Sequence, residues 1–241
     1  MSQFYPLKVI EKKQLTPESV SLSLAIPGEL KKIFDFKPGQ FVMVQKEIDG
    51  QKLRRYYSIY NLPGEGKLQL GIKVKGEDGF ANYAMHHIQP GEVLEVSAPM
   101  DDVNFDTETQ KPQKLLAITI GSGITPFYSY IQHMLKKQPN TKLVLVYGNE
   151  NPDKTMFYKE LHTLAKTYPQ QLKIYDAFSQ SAEGDFQERI NPKVLKEILA
   201  KEGAGFDAVY IIGPDDLKKM AAKTLEEEGV PKNKLHYRVY S

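Results

Sequence analysis

A chain of 241 residues with 41% hydrophobic content has room for one large domain or for two small ones, each with its own core. Its 32 Lys and Arg are balanced by 30 Asp and Glu, and the resulting net charge of +2 lacks the clustered basic excess expected of a nucleic-acid binder. Cysteine is absent, which excludes disulfides, thiolate nucleophiles and all-cysteine iron–sulfur clusters, so single-electron chemistry needs an organic cofactor or a partner. Residues 1–13 contain no apolar signal-peptide core, and no apolar run approaches the ~20 residues that span a bilayer. The expectation is a cytoplasmic protein without membrane association.

Taken in chain order, the first half reads as strands over 7–16, 20–26, 40–48, 53–61, 67–75 and 92–98. In the second of these, Val20, Leu22, Leu24 and Ile26 alternate with Ser21, Ser23 and Ala25. Turn pairs such as Pro27-Gly28, Pro38-Gly39 and Pro90-Gly91 punctuate the runs, and one helical interval covers 80–88. Six short, regularly punctuated strands predict a small antiparallel β-barrel, because closure leaves no long open edge.

A polar stretch, 101–113, then marks a change of character. Strands over 114–120, 142–147, 172–178, 208–212 and 235–240 alternate with helices over 126–137, 155–167, 192–201 and 216–228. Thr125-Pro126 and Asn191-Pro192 each place a capping residue before a proline suited to a first helical turn, and Gly229 follows the last helix. This alternation predicts a doubly wound parallel sheet with ligands at the carboxyl ends of its strands. The expected division is a barrel domain over 1–102, a linker over 103–113 and an α/β domain over 114–241.

Three turns stand at predicted strand ends. Gly121-Ser122-Gly123-Ile124-Thr125-Pro126 follows a buried strand and leads into a helix, Gly148-Asn149 ends another strand, and Gly213-Pro214 ends a third. Glycine lets backbone approach a ligand closely, and a helix start offers N–H groups to a pyrophosphate. A bare G-x-G equally suits a tight strand-to-helix connection, and Pro126 occupies the last position of the G-x-G-x-x-G fingerprint. Arg55, Tyr57 and Ser58 also admit two readings. They suit a strand that pairs a phosphate, stacks a flat ring and donates a hydroxyl, or an edge strand with exposed arginines and packed tyrosines. His86-His87 has no second pair of metal-binding residues nearby, so no metal site is expected.

In order, these segments resemble the ferredoxin–NADP reductase superfamily, especially its bacterial flavodoxin or ferredoxin reductase and oxygenase-reductase branches. Arg55-x-Tyr57-Ser58 is similar to the flavin signature R-x-Y-[ST], and Asp78-Gly79-Phe80-Ala81-Asn82 to the loop that holds the FAD pyrophosphate. Gly121 to Pro126 matches G-x-G-I-T-P; Tyr147-Gly148-Asn149 with Phe157 and Glu160-Leu161 resembles Y-G-N…F-x-x-E-L; Gly213-Pro214 with Met220 resembles C-G-P-x-x-M. The resemblance implies that Arg55 pairs with a flavin phosphate, Tyr57 packs on the isoalloxazine and Ser58 hydrogen-bonds near flavin N5. Backbone at Val74, Gly79, Phe80, Ala81 and Asn82 would complete the FAD site. Gly121, Gly123, Thr125, Pro126, Gly148, Asn149, Ser179, Gln180, Gly213 and Pro214 would line NAD(P)H. Tyr57, Ser58 and the terminal aromatic Tyr240 would stand nearest the reacting atoms, where hydride passes between nicotinamide C4 and flavin N5.

The sequence departs from the family pattern at four positions. Ile212 stands where a cysteine is usual, Arg238 where an acid is common, Ala81 for a frequent Ser or Thr, and Gln180 for the arginine of NADP-specific members. Glutamine cannot replace an arginine fork on a 2′-phosphate, although Arg189 and Lys154 are candidates to compensate, so both NAD and NADP stay open. The function implied is an NAD(P)H-dependent flavoprotein reductase, with FAD favoured over FMN. It would deliver electrons to a ferredoxin, a flavodoxin or an oxygenase component, or reduce free flavin. With Ser241 soon after Tyr240, no appended iron–sulfur domain is expected, and a monomer is the default. Ile212 and Arg238 motivate an alternative: a flavin-binding or nucleotide-sensing protein of the same fold with little turnover.

Overall fold

Alternating apolar residues in the first hundred positions form six strands: β1 (Phe4–Thr16), β2 (Ser19–Ala25), β3 (Phe41–Ile48), β4 (Gln51–Ser58), β5 (Lys67–Lys73) and β6 (Val93–Ser97). The computed structural model describes residues 3–48, 50–76, 79–101, 105–109 and 111–237. The sheet order is β4-β3-β6-β1-β2-β5 with every pairing antiparallel. Beyond the end of β4, Ile59 bridges Leu70 of β5 and Tyr60 N donates to Gln69 O at 3.0 Å. That bridge joins the two edge strands and closes the barrel. A register shift between Val9 and Glu11 bends β1 and turns Ile10 outward, where it is 49% exposed.

Leu7, Leu22, Leu24, Val44, Leu70 and Val96 are buried in one core cluster, each contributing roughly 1.5–3 kcal/mol of burial. The serines of β2 are buried as well, contrary to a simple apolar-in, polar-out alternation. They have partners: Ser21 Oγ lies 2.6 Å from Tyr60 OH, and Ser23 Oγ donates to Glu11 and accepts from Gln69. Helix α1 (Gly79–His86) packs Phe80, Ala81 and Ala84 on the same core.

The second sheet comprises β7 (Lys114–Ile120), β8 (Lys142–Asn149), β9 (Leu172–Phe178), β10 (Ala208–Ile212) and β11 (Leu235–His236). Its order is β11-β10-β7-β8-β9 and all its pairings are parallel. Between these strands run α2 (Ile124–Lys137), α3 (Tyr158–Thr167), α4 (Pro192–Glu202) and α5 (Asp215–Glu227). The strands read as continuous apolar runs because both faces are covered. On one face, Ile118, Val146 and Ala177 join Ile198 of α4 and Leu225 of α5 in a single cluster.

Helix ends follow the expected chemistry in some places and not in others. Asn191 caps α4, its Oδ1 accepting from Val194 N at 3.0 Å with Pro192 at the first position. Gly229 follows α5 with φ at 88°. Thr125 is not a cap: α2 begins at Ile124, because the turn 121–123 is a single 3₁₀ turn that runs directly into the α-helix. Pro126 is still within the first turn, where a missing N–H costs no hydrogen bond. Helix α3 also starts later than 155, since 152–154 form their own 3₁₀ turn and Phe157 adopts φ 60° before Tyr158. Of the strand expected over 235–240, Leu235–His236 is observed, and 238–240 lie outside the described residues.

By contact clustering the chain forms two compact units, residues 1–107 with 125–132, and residues 108–124 with 133–241. The first unit holds the barrel and a second aromatic cluster in which Phe105 stacks on Tyr130 with ring centroids 4.3 Å apart. Gly39, at φ 89°, lies directly beneath the Phe105 ring, where any side chain would overlap it.

Candidate functional site

In the α/β unit the chain winds from β7 outward to β9, then returns to β10 and β11 on the other side. The strand order therefore reverses between β7 and β10, the place where open α/β sheets bind ligands. Three turns meet there. Thr119 Oγ1, at the end of β7, donates to Ile212 O at 2.8 Å and ties that strand to the turn after β10. A Cβ on Gly123 would overlap the Thr119 hydroxyl and fall 2.9 Å from Ile212 O. One on Gly148 would fall 2.9 Å from Ile120 Cγ2, and one on Gly213 2.8 Å from Leu217 Cδ2. At Gly123 the backbone of the neighbouring turn demands glycine, whereas at Gly148 and Gly213 a side chain would have to displace Ile120 or the end of Leu217. Gly121 differs: its φ is 52° and a Cβ would meet nothing within 4 Å.

The exits of β8 and β9 are joined by backbone bonds, Ser179 N to Asn149 O at 3.1 Å and Gln180 N to Glu150 O at 2.8 Å. The Asn149 Nδ2 is buried and makes no hydrogen bond of ordinary geometry, although its amide lies beside the Tyr147 hydroxyl. Gln180 is exposed, as is Arg189. Lys154 is engaged with Glu150, Nζ to Oε2 at 2.9 Å. Thr125 and Pro126 are buried within the first turn of α2, Gly213 is half-buried and Pro214 is exposed.

Behind the turns lies a polar cluster that composition alone does not reveal. Tyr147 pairs in register with Asp176, whose Oδ2 lies 2.7 Å from His162 Nε2. The Tyr147 hydroxyl donates to Gly121 O at 2.9 Å and faces Met156 O at 3.4 Å. Burial holds that hydroxyl far above the ordinary tyrosine range; the nearby Asn149 amide offsets this only in part, and the Asp176 charge adds to it. The phenol therefore stays protonated. Thr119 carried no expectation in the sequence, and Tyr147 entered only as part of the Y-G-N resemblance, with no role for its hydroxyl. The available signal was a single hydroxyl residue at the end of each apolar strand.

In the barrel unit, β4 carries the other candidates. Tyr57 is half-buried and packs on Phe80 at 5.6 Å between ring centroids, which brings the start of α1 against β4. A Cβ on Gly79 would lie 3.1 Å from Leu53 Cδ1, so the same contact limits that position to glycine or a small adjustment. Ser58 and Arg55 are half-buried, and Arg55 Nη1 donates to Arg54 O at 2.9 Å. Phe80 and Ala81 turn their side chains into the barrel core, leaving only their backbone to meet a ligand. Asn82 Nδ2 reaches Gly76 O at 3.4 Å. The Val74 amide is committed to Glu18 O at 2.9 Å. Asp78, Arg238 and Tyr240 lie outside the described residues. No acid stands in the first turn of α1 itself, whose N–H groups are suited to a phosphate. A guanidinium, an aromatic face, a hydroxyl and that helix start fit a flavin dinucleotide; the converging glycine turns fit a nicotinamide dinucleotide.

Comparison with known proteins agrees with this chemistry. Residues 6–105 match the oxidoreductase FAD-binding domain and residues 118–223 the oxidoreductase NAD-binding domain. The chain is 32% identical over 247 residues to one component of the 1,2-phenylacetyl-CoA epoxidase of Escherichia coli, covering 98% of this chain and 67% of that protein. It is 29% identical over 253 residues to a flavohemoprotein of Halalkalibacterium halodurans, covering 96% of this chain but only 59% of that protein. A ferredoxin NADP+ reductase from Neisseria gonorrhoeae, solved with bound FAD and NADP, superposes with a TM-score of 0.79 at 18% identity, covering 95% of this chain and 93% of that one. Two matched cofactor domains in order, with a relative at that identity along almost the whole chain, make this protein an oxidoreductase that uses FAD and NAD(P)H and a member of the ferredoxin–NADP reductase superfamily.

Proposed function

We propose that this chain is an NAD(P)H-dependent flavoprotein reductase that hands electrons from bound FAD to a separate acceptor, an oxygenase component, a ferredoxin or a flavodoxin. When bound, the two cofactors supply the chemistry: the nicotinamide gives up a hydride and the flavin releases electrons singly. The protein binds and orients them. In this reading Arg55 pairs with a flavin phosphate, Tyr57 stacks on the flavin ring and Ser58 and Tyr240 stand at its reacting edge. Val74, Gly79, Phe80, Ala81 and Asn82 contribute backbone to the FAD site. Gly121, Gly123, Thr125, Pro126, Gly148, Asn149, Ser179, Gln180, Gly213 and Pro214 serve the nicotinamide dinucleotide. Flavin binding is assigned to 1–102 and dinucleotide binding to 114–241.

The observation that supports the reading is the convergence of glycine turns at the reversal of strand order, where Gly123 lies against Thr119 and the Ile212 carbonyl. The similarity to an epoxidase component favours an oxygenase component as acceptor. Coenzyme choice follows from charge. Gln180 offers no cation where an arginine fork would stand, and Lys154 is paired with Glu150, which leaves exposed Arg189 as the other candidate cation for a 2′-phosphate, so no strong preference for NADPH is assigned. Steady-state assays with each coenzyme test this. A kcat/KM for NADPH less than about a hundredfold above that for NADH is expected, and a larger preference contradicts the assignment of Gln180.

A further inference from the structure

We propose that Tyr147 is a positioning residue for the nicotinamide dinucleotide, its buried hydroxyl anchoring the carbonyl of Gly121 so that the glycine turn after β7 is held ready for the ligand. The inference rests on the dinucleotide reading of that turn. Tyr147 belongs to β8, yet its ring crosses to the neighbouring strand end and donates to Gly121 O at 2.9 Å, 26 residues away in sequence. The side chain is 1% exposed. A buried tyrosine hydroxyl needs a partner. Here it faces two carbonyls, Gly121 O and, at 3.4 Å, Met156 O. A phenol has one proton to give, and the shorter contact takes it.

The consequence for the turn follows from peptide geometry. In a trans peptide the C=O of one residue and the N–H of the next point in opposite directions. Holding Gly121 C=O toward the buried tyrosine therefore directs Ser122 N–H away from it. Gly121 needs that hold. Its φ is 52° and it has no side chain of its own to pack, so the orientation of its carbonyl depends on backbone contacts such as this one. The same carbonyl also accepts from Ile124 N at the start of α2, which links the tyrosine to the helix start. Phe157, next to Met156, is held at φ 60°, a conformation that a bulky residue keeps only when its surroundings impose it. Tyr147 thus sits between two backbone segments that depend on their neighbours for shape. Burial keeps its proton in place, so the anchor does not switch off with pH across the physiological range.

The test compares Tyr147→Phe with Tyr175→Phe, which removes a hydroxyl bonded to Glu202 Oε1 at 2.6 Å in the same unit. The readouts are the dissociation constant for NAD⁺ by titration calorimetry, thermal stability, and the separate effects on KM and kcat for NADH. Both variants are expected to lose stability, whereas only Y147F weakens NAD⁺ binding, by about tenfold, and raises KM more than it lowers kcat. Y147F binding NAD⁺ within about twofold of the parent, whatever its stability, overturns the proposal. Should Y147F not fold, 4-aminophenylalanine at position 147, which keeps an N–H donor there, decides: parental affinity supports the anchor and a tenfold loss overturns it. Should the parent prefer NADP⁺, the same comparison is made with that coenzyme; failure of the parent to bind any of NAD⁺, NADH, NADP⁺ and NADPH would instead overturn the dinucleotide reading on which the proposal rests.

Discussion

At the scale of single residues, Asn149 separates binding from stability. Its Nδ2 makes no hydrogen bond of ordinary geometry beyond its approach to the Tyr147 hydroxyl, so removing the amide costs folding little, while a ligand bonded to it loses a bond. Asn149→Ala is therefore expected to raise KM for NAD(P)H by about tenfold while lowering stability by no more than about 1 kcal/mol. Calorimetric melting alongside steady-state kinetics checks both halves. A large stability loss with unchanged KM would make Asn149 a structural residue only. The placement of the glycine turns was legible beforehand: Gly121, Gly123, Gly148 and Gly213 all stand at strand ends, as their positions after apolar runs imply. The contacts of Tyr147 and Thr119 were not visible, because each reaches a backbone carbonyl on a different strand and leaves no trace in local sequence.

At the scale of elements, periodicity marked the described strands and α-helices, and the misplaced starts of α2 and α3 share one cause. Near Thr125 and at 155–157 a 3₁₀ turn precedes the helix, and hydroxyl-plus-proline or polar signals do not distinguish that turn from a cap. The shortest described strand, β11, also carries a pH dependence. It pairs with β10 at only two positions, and His236 stacks on Tyr210 with ring centroids 4.9 Å apart. Burial holds His236 below the ordinary histidine value of 6.5. The unfolded chain then binds this proton more tightly than the folded one. The stability contributed by neutral His236 is complete above about pH 6.5 and is lost as the pH falls through that value toward the lower folded pKa. His236→Phe keeps the ring without the titration. Between about pH 7.5 and pH 5.5 the parent should lose more Tm than H236F, and equal losses would remove His236 as a source of acid sensitivity.

At the scale of the whole molecule, an antiparallel barrel and a parallel sheet each assemble a different kind of dinucleotide site from short backbone turns and few charged groups. The order of motifs along the chain made both folds legible, since alternation of period two gives way to strand–helix alternation after residue 113. Barrel closure through Ile59 and Leu70 was not legible, because it depends on which edges meet in space. What joins the two halves functionally is electron flow from nicotinamide to flavin. Anaerobic rapid mixing of the FAD-loaded protein with excess NADH or NADPH, followed near ~450 nm, measures that flow directly. Bleaching within seconds, with the colour restored on adding a one-electron acceptor, is the expected result. A flavin that stays oxidised for minutes with both coenzymes would contradict the assignment of this chain as a reductase.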